Sequence, residues 1–345
     1  LDASNSEENV VIGNYAAAEI TTGDYNVAIG HAALRYGTTT NRQVAIGYAA
    51  LSNFTQDGDL RNVAVGMYSM LYPRSGSNNV AMGYGAMQGH NSVYDSDYNV
   101  ALGSDTLFDI AGGDNNTAVG YQAGTNVSTG QGNTLIGYQA GETLSTANHN
   151  VMVGYQAGQD NTGQYSVFIG KGAGTNNTSA DGNVMIGNNA GQANTTQSQN
   201  TYVGFQAGYA SAGDENTMIG YNAGVNTTAG YNVVIGSAAA SDMTTGDYNT
   251  IVGTTAGANI TGSQQNVLLG AYAGRMLQAS KRLIAIGYEA GYQATTGYQV
   301  AIGHSALKNP TTATENVALG NEALIGAASS TSEYNTALGN YSLTA

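Results

Sequence analysis

Residues 133–141 read NTLIGYQAG, and the chain restates this stretch about twenty times. With the glycine of each copy as origin, the copies run from Gly13, Gly30 and Gly47 through Gly137 to Gly303, Gly320 and Gly339. The step is 16 or 17 residues, stretching to 19 or 20 only before Gly66, Gly103 and Gly339. A fixed period of that length, unbroken from end to end, is the mark of a solenoid in which each copy forms one coil. The expected fold is therefore all-β: a parallel β-solenoid of about 20 coils of 16–17 residues, one repetitive domain over residues 1–345.

Stacking the copies turns positions into columns. Three before the glycine every copy has Val, Thr or Ile, and one before it Ile, Val, Leu or Met. Such residues suit a strand, and the two positions share one strand face, read here as the interior of the coil. The position between them points to the other face, yet it is apolar in every copy. An apolar residue on both faces predicts burial on both, so this second face is expected to be an assembly surface.

The sizes in this middle column are matched elsewhere. Leu135, Met152, Phe168, Met185, Tyr202, Met218, Ile251 and Leu268 each precede a Gly six residues on, whereas the Ala copies carry Leu34, Leu51, Met70 or Met87 at that place. Large against small suggests one shared, closely packed volume, although two repeat subfamilies would give the same swap. All twelve residues are expected at an assembly interface. Ala118 with Gly124 and Ala285 with Gly291 break the rule, which predicts slack packing there.

Four before the glycine stands Asn in sixteen copies, including Asn26, Asn133, Asn150 and Asn183, with Gln43, Ser166, Leu283 and Gln299 as substitutes. An Asn column at a strand entrance predicts a turn ladder in which each amide bonds backbone or the next amide. With coils about 4.8 Å apart, twenty of them would extend roughly 95 Å.

Composition narrows the function. Charged residues are 9% of the chain, with 23 acidic against 9 basic and a net charge of −14; an acidic surface disfavours nucleic acid and anionic membranes as partners. The chain has no cysteine, which excludes disulfides, thiolate zinc sites and thiol catalysis. No apolar run is long enough for a membrane helix, and the opening LDASNSEEN does not read as a signal peptide. Since the repeat is already under way at both ends, the chain is expected to be part of a longer fibre.

The unit N-V-A-I-G, at Asn26–Gly30 and, with Val65 for Ile, at Asn62–Gly66, resembles the head repeat of YadA-type trimeric autotransporter adhesins. The form Tyr-Gln-Ala-Gly, at 121–124, 138–141 and 155–158, resembles arrays in phage tail-fibre-like proteins. The resemblance implies a left-handed parallel β-roll assembled as a homotrimer, with the second strand face on the three-fold axis.

No catalytic constellation is legible. Lys171 is the only basic residue between Arg74 and Arg275, and His31, His90, His149 and His304 are scattered through the repeats; no metal, cofactor or catalytic residue is expected. Asp24, Asp95 and Asp97 read as turn formers in preference to calcium ligands. Tyr follows the glycine at Tyr121, Tyr138 and Tyr155, which are candidate glycan contacts, and precedes the Asn column at Tyr25, Tyr165 and Tyr248. Thr recurs eight after the glycine at Thr21, Thr38, Thr55, Thr162, Thr178, Thr195, Thr228, Thr244, Thr261, Thr295 and Thr311. The expected function is a non-enzymatic, adhesin-like fibre shaft, extracellular, on a cell surface or on a virion as a tail fibre. Its partners would be its own copies and surface glycans or a host receptor. The alternative is a monomeric solenoid binding ice or carbohydrate.

Overall fold

A computed structural model describes residues 6–54, 56–72, 75–89, 95–277, 282–294, 297–309, 314–326 and 333–344. Arg74, His90, Thr55, Thr295 and Thr311 lie outside the described residues. The chain divides into two compact units, Leu1–Ser179 and Ala180–Ala345. Each is a parallel β-solenoid, without a helix among the described residues.

In the first unit ten three-residue strands, from Val10–Ile12 to Val167–Ile169, each pair parallel with the next copy of the repeat. In the second, ten strands from Val184–Ile186 to Thr336–Leu338 do the same. Register follows the motif column for column: Thr134, Leu135 and Ile136 lie against Val151, Met152 and Val153. The longer step before Gly66 is absorbed outside this ladder, where Thr40–Asn41 pairs with Gly58–Asp59.

The motif glycine ends each strand for a steric reason. Gly137 has φ +139°, and a Cβ there would sit 2.2 Å from the carbonyl oxygen of Gly154 in the next coil, so only hydrogen allows the coils to close up. The chain then turns through left-handed conformations two and four residues on, at Gln139 (φ 52°) and Gly141 (φ 59°). A third left-handed residue, such as His149 (φ 57°), precedes the next Asn.

These turns fold the chain back over the middle strand column, and this reverses the expected sidedness. Leu135, Met152, Phe168, Met185, Tyr202, Met218, Ile251 and Leu268 are all 0% exposed within the single chain, as are Leu34, Leu51, Met70 and Met87. They are the core, not a trimer interface. The outer two columns, expected inside, are half-buried or exposed: Ile136 is 38% exposed and Ile169 37%. The physical reason lies in the size swap itself. Compensating sizes are what a closed interior demands, whereas the outer columns vary little in size and have nothing across from them.

The shared volume is real, and it lies inside the roll. A Cβ on Gly191 would meet the Met185 sulfur at 2.3 Å, and one on Gly208 the Tyr202 ring at 2.6 Å. The slack expected at the two exceptions is absent at Gly124 and reduced at Gly291. Beside Gly124 the neighbouring coils reach in, with Leu135 and Leu107 at 2.6 and 3.0 Å from a notional Cβ. Beside Gly291 the gap is narrowed by Leu283, whose methyl group comes within 3.2 Å. That explains why Leu283 stands where other coils have Asn.

A third core column, seven after the glycine, escaped the sequence reading. It holds buried Phe54, Ile110, Val127 and Leu144 in the first unit and Met243, Ile260 and Leu277 in the second. In the second unit it turns polar beside the bulkiest residue, where Ser211 Oγ lies 2.8 Å from the Tyr202 hydroxyl. Burial of that phenol pushes its pKa well above the ordinary value.

Candidate functional site

The functional candidates of a roll are its outward surfaces, and four can be built from the columns. The first is the outer strand face. The columns three and one before the glycine carry no charged residue in any of twenty copies, and the parallel register aligns them coil on coil. Val233 (37% exposed), Ile136, Ile169, Ile219 and Leu319 stand on this face. Residues in these columns have the chemistry expected of an assembly surface, on the face opposite to the twelve interface candidates.

The second is the amide ladder at the strand entrance. Asn133 donates its backbone N–H to Asn116 Oδ1 (3.0 Å) and its side-chain amide to the carbonyl of Ala147 (2.9 Å). Its own Oδ1 accepts the N–H of Asn150 at 3.0 Å. Asn150 donates likewise to the carbonyl of Gly163, Asn26 to that of Thr40, and Asn183 to that of Gln197. The oxygens of Asn26 and Asn183 accept the N–H groups of Gln43 and Asn200. These buried side chains tie coil to coil and are closed to ligands. Where Leu283 replaces Asn, the strands lengthen to four residues, Leu283–Ile286 and Gln299–Ile302, so one more backbone pair stands in for the missing side chain.

A neighbouring column of acids and amides does similar work. Asp24 Oδ1 accepts the N–H of Glu7 (2.7 Å), and Asp97 Oδ1 accepts both the N–H and the hydroxyl of Ser77 (2.6 and 3.0 Å). Among the described residues no three His, Cys, Asp or Glu side chains gather as a metal-binding group would. Where an acid meets cations, it is in a surface pair: Arg61 and Arg42 flank Asp59, and the Arg61 hydrogen bond holds its carboxyl below the usual range.

The third is the set of aromatic ladders. Tyr121, Tyr138 and Tyr155 stack with ring centroids 5.5 and 5.0 Å apart, and the Lys171 ammonium lies over the free side of Tyr155 at 6.0 Å. The three rings are exposed, but both faces of Tyr138 are taken by its neighbours. That corrects the expected glycan contact: a sugar cannot stack on Tyr138, which offers only its edge. Three histidines are rungs of the same kind, His31 on Tyr48, His149 on Tyr165 and His304 on Tyr288. Tyr231 and Tyr248 stack at 5.0 Å in the other tyrosine column. The cations join in: Arg35, Arg42, Arg275 and Arg282 each sit over a tyrosine ring.

The fourth is the threonine column. Thr21, Thr162, Thr178, Thr195, Thr228, Thr244 and Thr261 are exposed, and Thr38 is half-buried. Thr21 donates both its N–H and its hydroxyl to the carbonyl of Thr38 (2.8 and 3.1 Å), and the Thr162 N–H donates to Thr178. The column therefore serves as a further seam between coils. Among the described residues no helix is long and apolar enough to cross a membrane. No protein-family model matches the chain, and no curated protein matches it significantly.

Proposed function

We propose that the chain is the shaft of a structural, non-enzymatic fibre, extracellular or borne on a virion, in which three copies of a left-handed β-roll close on one another through their outer strand faces. In this reading the assembled shaft supports attachment to a surface, with host receptors or surface glycans as partners.

One observation carries the proposal: the outer face of the parallel strands carries no charge in any copy, has Ile, Val, Leu or Met one before the glycine throughout and Val, Ile or Thr three before it, and stands half-buried or exposed on the single chain. Parallel sheets are ordinarily covered on both faces, and a continuous apolar strip marks an association surface. A chain working alone in water would gain by placing Lys, Glu or Ser there, yet none enters either column, and the sole polar residue is Thr, at Thr117, Thr134, Thr201, Thr217, Thr250 and Thr336. The single-chain core offers no substitute partner, because its volumes already close around Leu135, Phe168 and Tyr202.

The deciding measurement is solution mass by light scattering at low micromolar concentration. Three times 35.2 kDa is expected. A clean 35.2 kDa would overturn the assembly and with it the shaft.

A further inference from the structure

In the first unit the column just after the motif glycine is aromatic except at Asn14, Met67, Ser104 and Lys171, and at the first two of these a tyrosine one residue further on, Tyr15 or Tyr68, carries the ring contact. Tyr84 and Tyr121 occupy it in the Gly83 and Gly120 coils, but the Gly103 coil between them has Ser104. A second omission adjoins the first. One residue further along, where other coils carry Gln139, Gln156 or Asp105, the Gly83 coil has Gly85. Two rungs separate Tyr84 from Tyr121, roughly 9.6 Å at the spacing of paired strands, so the column offers Tyr84 no ring to stack on in the next coil.

The surface is recessed at this place. An open cavity of about 430 Å³ is lined by Tyr84 and Gln88 from one coil, Asp105 and Phe108 from the next, and Gln122 and Thr125 from the third. Gly85 forms part of its floor: a Cβ there would collide with Asp105 Oδ1 at 2.7 Å and press the Phe108 ring at 3.3 Å. The missing side chain thus lets the carboxylate and the ring lie in the recess together. Asp105 keeps a weak contact to the Ser104 hydroxyl (3.2 Å), and Thr125 donates its hydroxyl to the Asp105 backbone carbonyl (3.1 Å). No Lys or Arg occurs between residues 75 and 135.

We infer that this recess is a binding site for an uncharged hexopyranose. The exposed Tyr84 ring supplies the flat apolar surface on which the C–H face of a sugar ring rests. A carboxylate accepts hydroxyl hydrogens strongly, and the amides of Gln88 and Gln122 extend the polar rim. With one acid and no base, the site repels phosphate, sulfate and acidic sugars. The sugar ring would rest against Tyr84 in the recess, beside the Ser104 rung. The inference goes beyond the shaft reading and holds for a single chain as well as for an assembly.

The test is saturation-transfer NMR on the full chain with methyl α-glucopyranoside, methyl α-mannopyranoside and methyl β-galactopyranoside as probes. At least one should receive saturation from wild type. Asp105→Asn should weaken its binding about tenfold, the loss of a charge-assisted acceptor, and Ser104→Tyr should abolish it by laying a ring over the Tyr84 face on which the sugar rests. Ser104→Tyr copies its neighbouring coils and should fold normally; an unchanged far-ultraviolet circular dichroism spectrum and an unchanged light-scattering mass check this and separate the result from the fate of the assembly. No transfer from wild type to any of the three probes, or transfer that survives Ser104→Tyr, would overturn the site.

Discussion

At the scale of the residue, the roll is held by pairs of complementary size in most coils, large against small. The place four after the glycine is left-handed in every described coil: Gly141, Gly158, Gly174, Gly191 and Gly208 take it at φ 56–59°, and Leu34, Leu51, Met70 and Met87 at φ 49–51°. A side chain there costs about 1–2 kcal/mol of backbone strain and regains about 1.5–3 kcal/mol when the leucine or methionine is buried. The trade works only where the strand residue opposite is Ala. Gly191→Leu should therefore destabilise the second unit by about 2–5 kcal/mol, because its Cβ would fall 2.3 Å from the Met185 sulfur. Adding Met185→Ala should recover all but about 1–2 kcal/mol, with Tyr202 at 3.0 Å limiting full recovery. Urea midpoints followed by tyrosine fluorescence measure both; a double variant no more stable than the single one would show that the two positions do not share a volume.

At the scale of the element, the strand is only three residues long and would be marginal without the amide column beside it. Asn133→Ala strips the buried N–H of Asn150 and the carbonyl of Ala147 of their partners at once, a loss of about 1–3 kcal/mol for each. Hydrogen exchange at Asn150 should accelerate by at least a hundredfold, on the order of 2.7 kcal/mol, while Asn133→Gln should exchange more slowly than Asn133→Ala, since Gln43 already serves the Asn62 N–H at 3.2 Å. Unchanged protection in Asn133→Ala would remove the ladder from the account of stability. The period, the strands, the Asn ladder and the size swap were legible in the sequence because each repeats as a column. What could not be read was which strand face is inside. Alternation gives two faces but not their orientation; that is set by the left-handed turns at Gln139 and Gly141, and non-glycine residues such as Gln, Tyr and Glu in those turns carry no local signal of positive φ. The column of Phe54, Val127 and Leu144 was hidden because it drifts to Asn161 and Ser211 in other coils. The recess at Ser104 was missed because its signal is an omission from a column.

At the scale of the whole molecule, the reversed sidedness moves the place where assembly must be attacked. An Asp at Phe168 would put a carboxylate in a sealed core and unfold its coil, whatever the oligomeric state. Ile136 and Ile169 are different: each is more than a third exposed in the single chain, so an Asp there remains hydrated before association and should cost the isolated roll less than about 1 kcal/mol. In an assembly closed through the outer faces, the same substitution gathers like charges where copies meet and buries them together. Ile136→Asp combined with Ile169→Asp should therefore lower the light-scattering mass from three times 35.2 kDa to a single 35.2 kDa, with the circular dichroism of the roll unchanged. A mass still at three chains would place the contact on another surface, the tyrosine ladders being the next to test. Loss of the dichroism along with the mass would mean that the single roll needs its partners to fold, as obligate assemblies do. The two variants together separate a shaft that is built from finished rolls from one whose rolls form only in company.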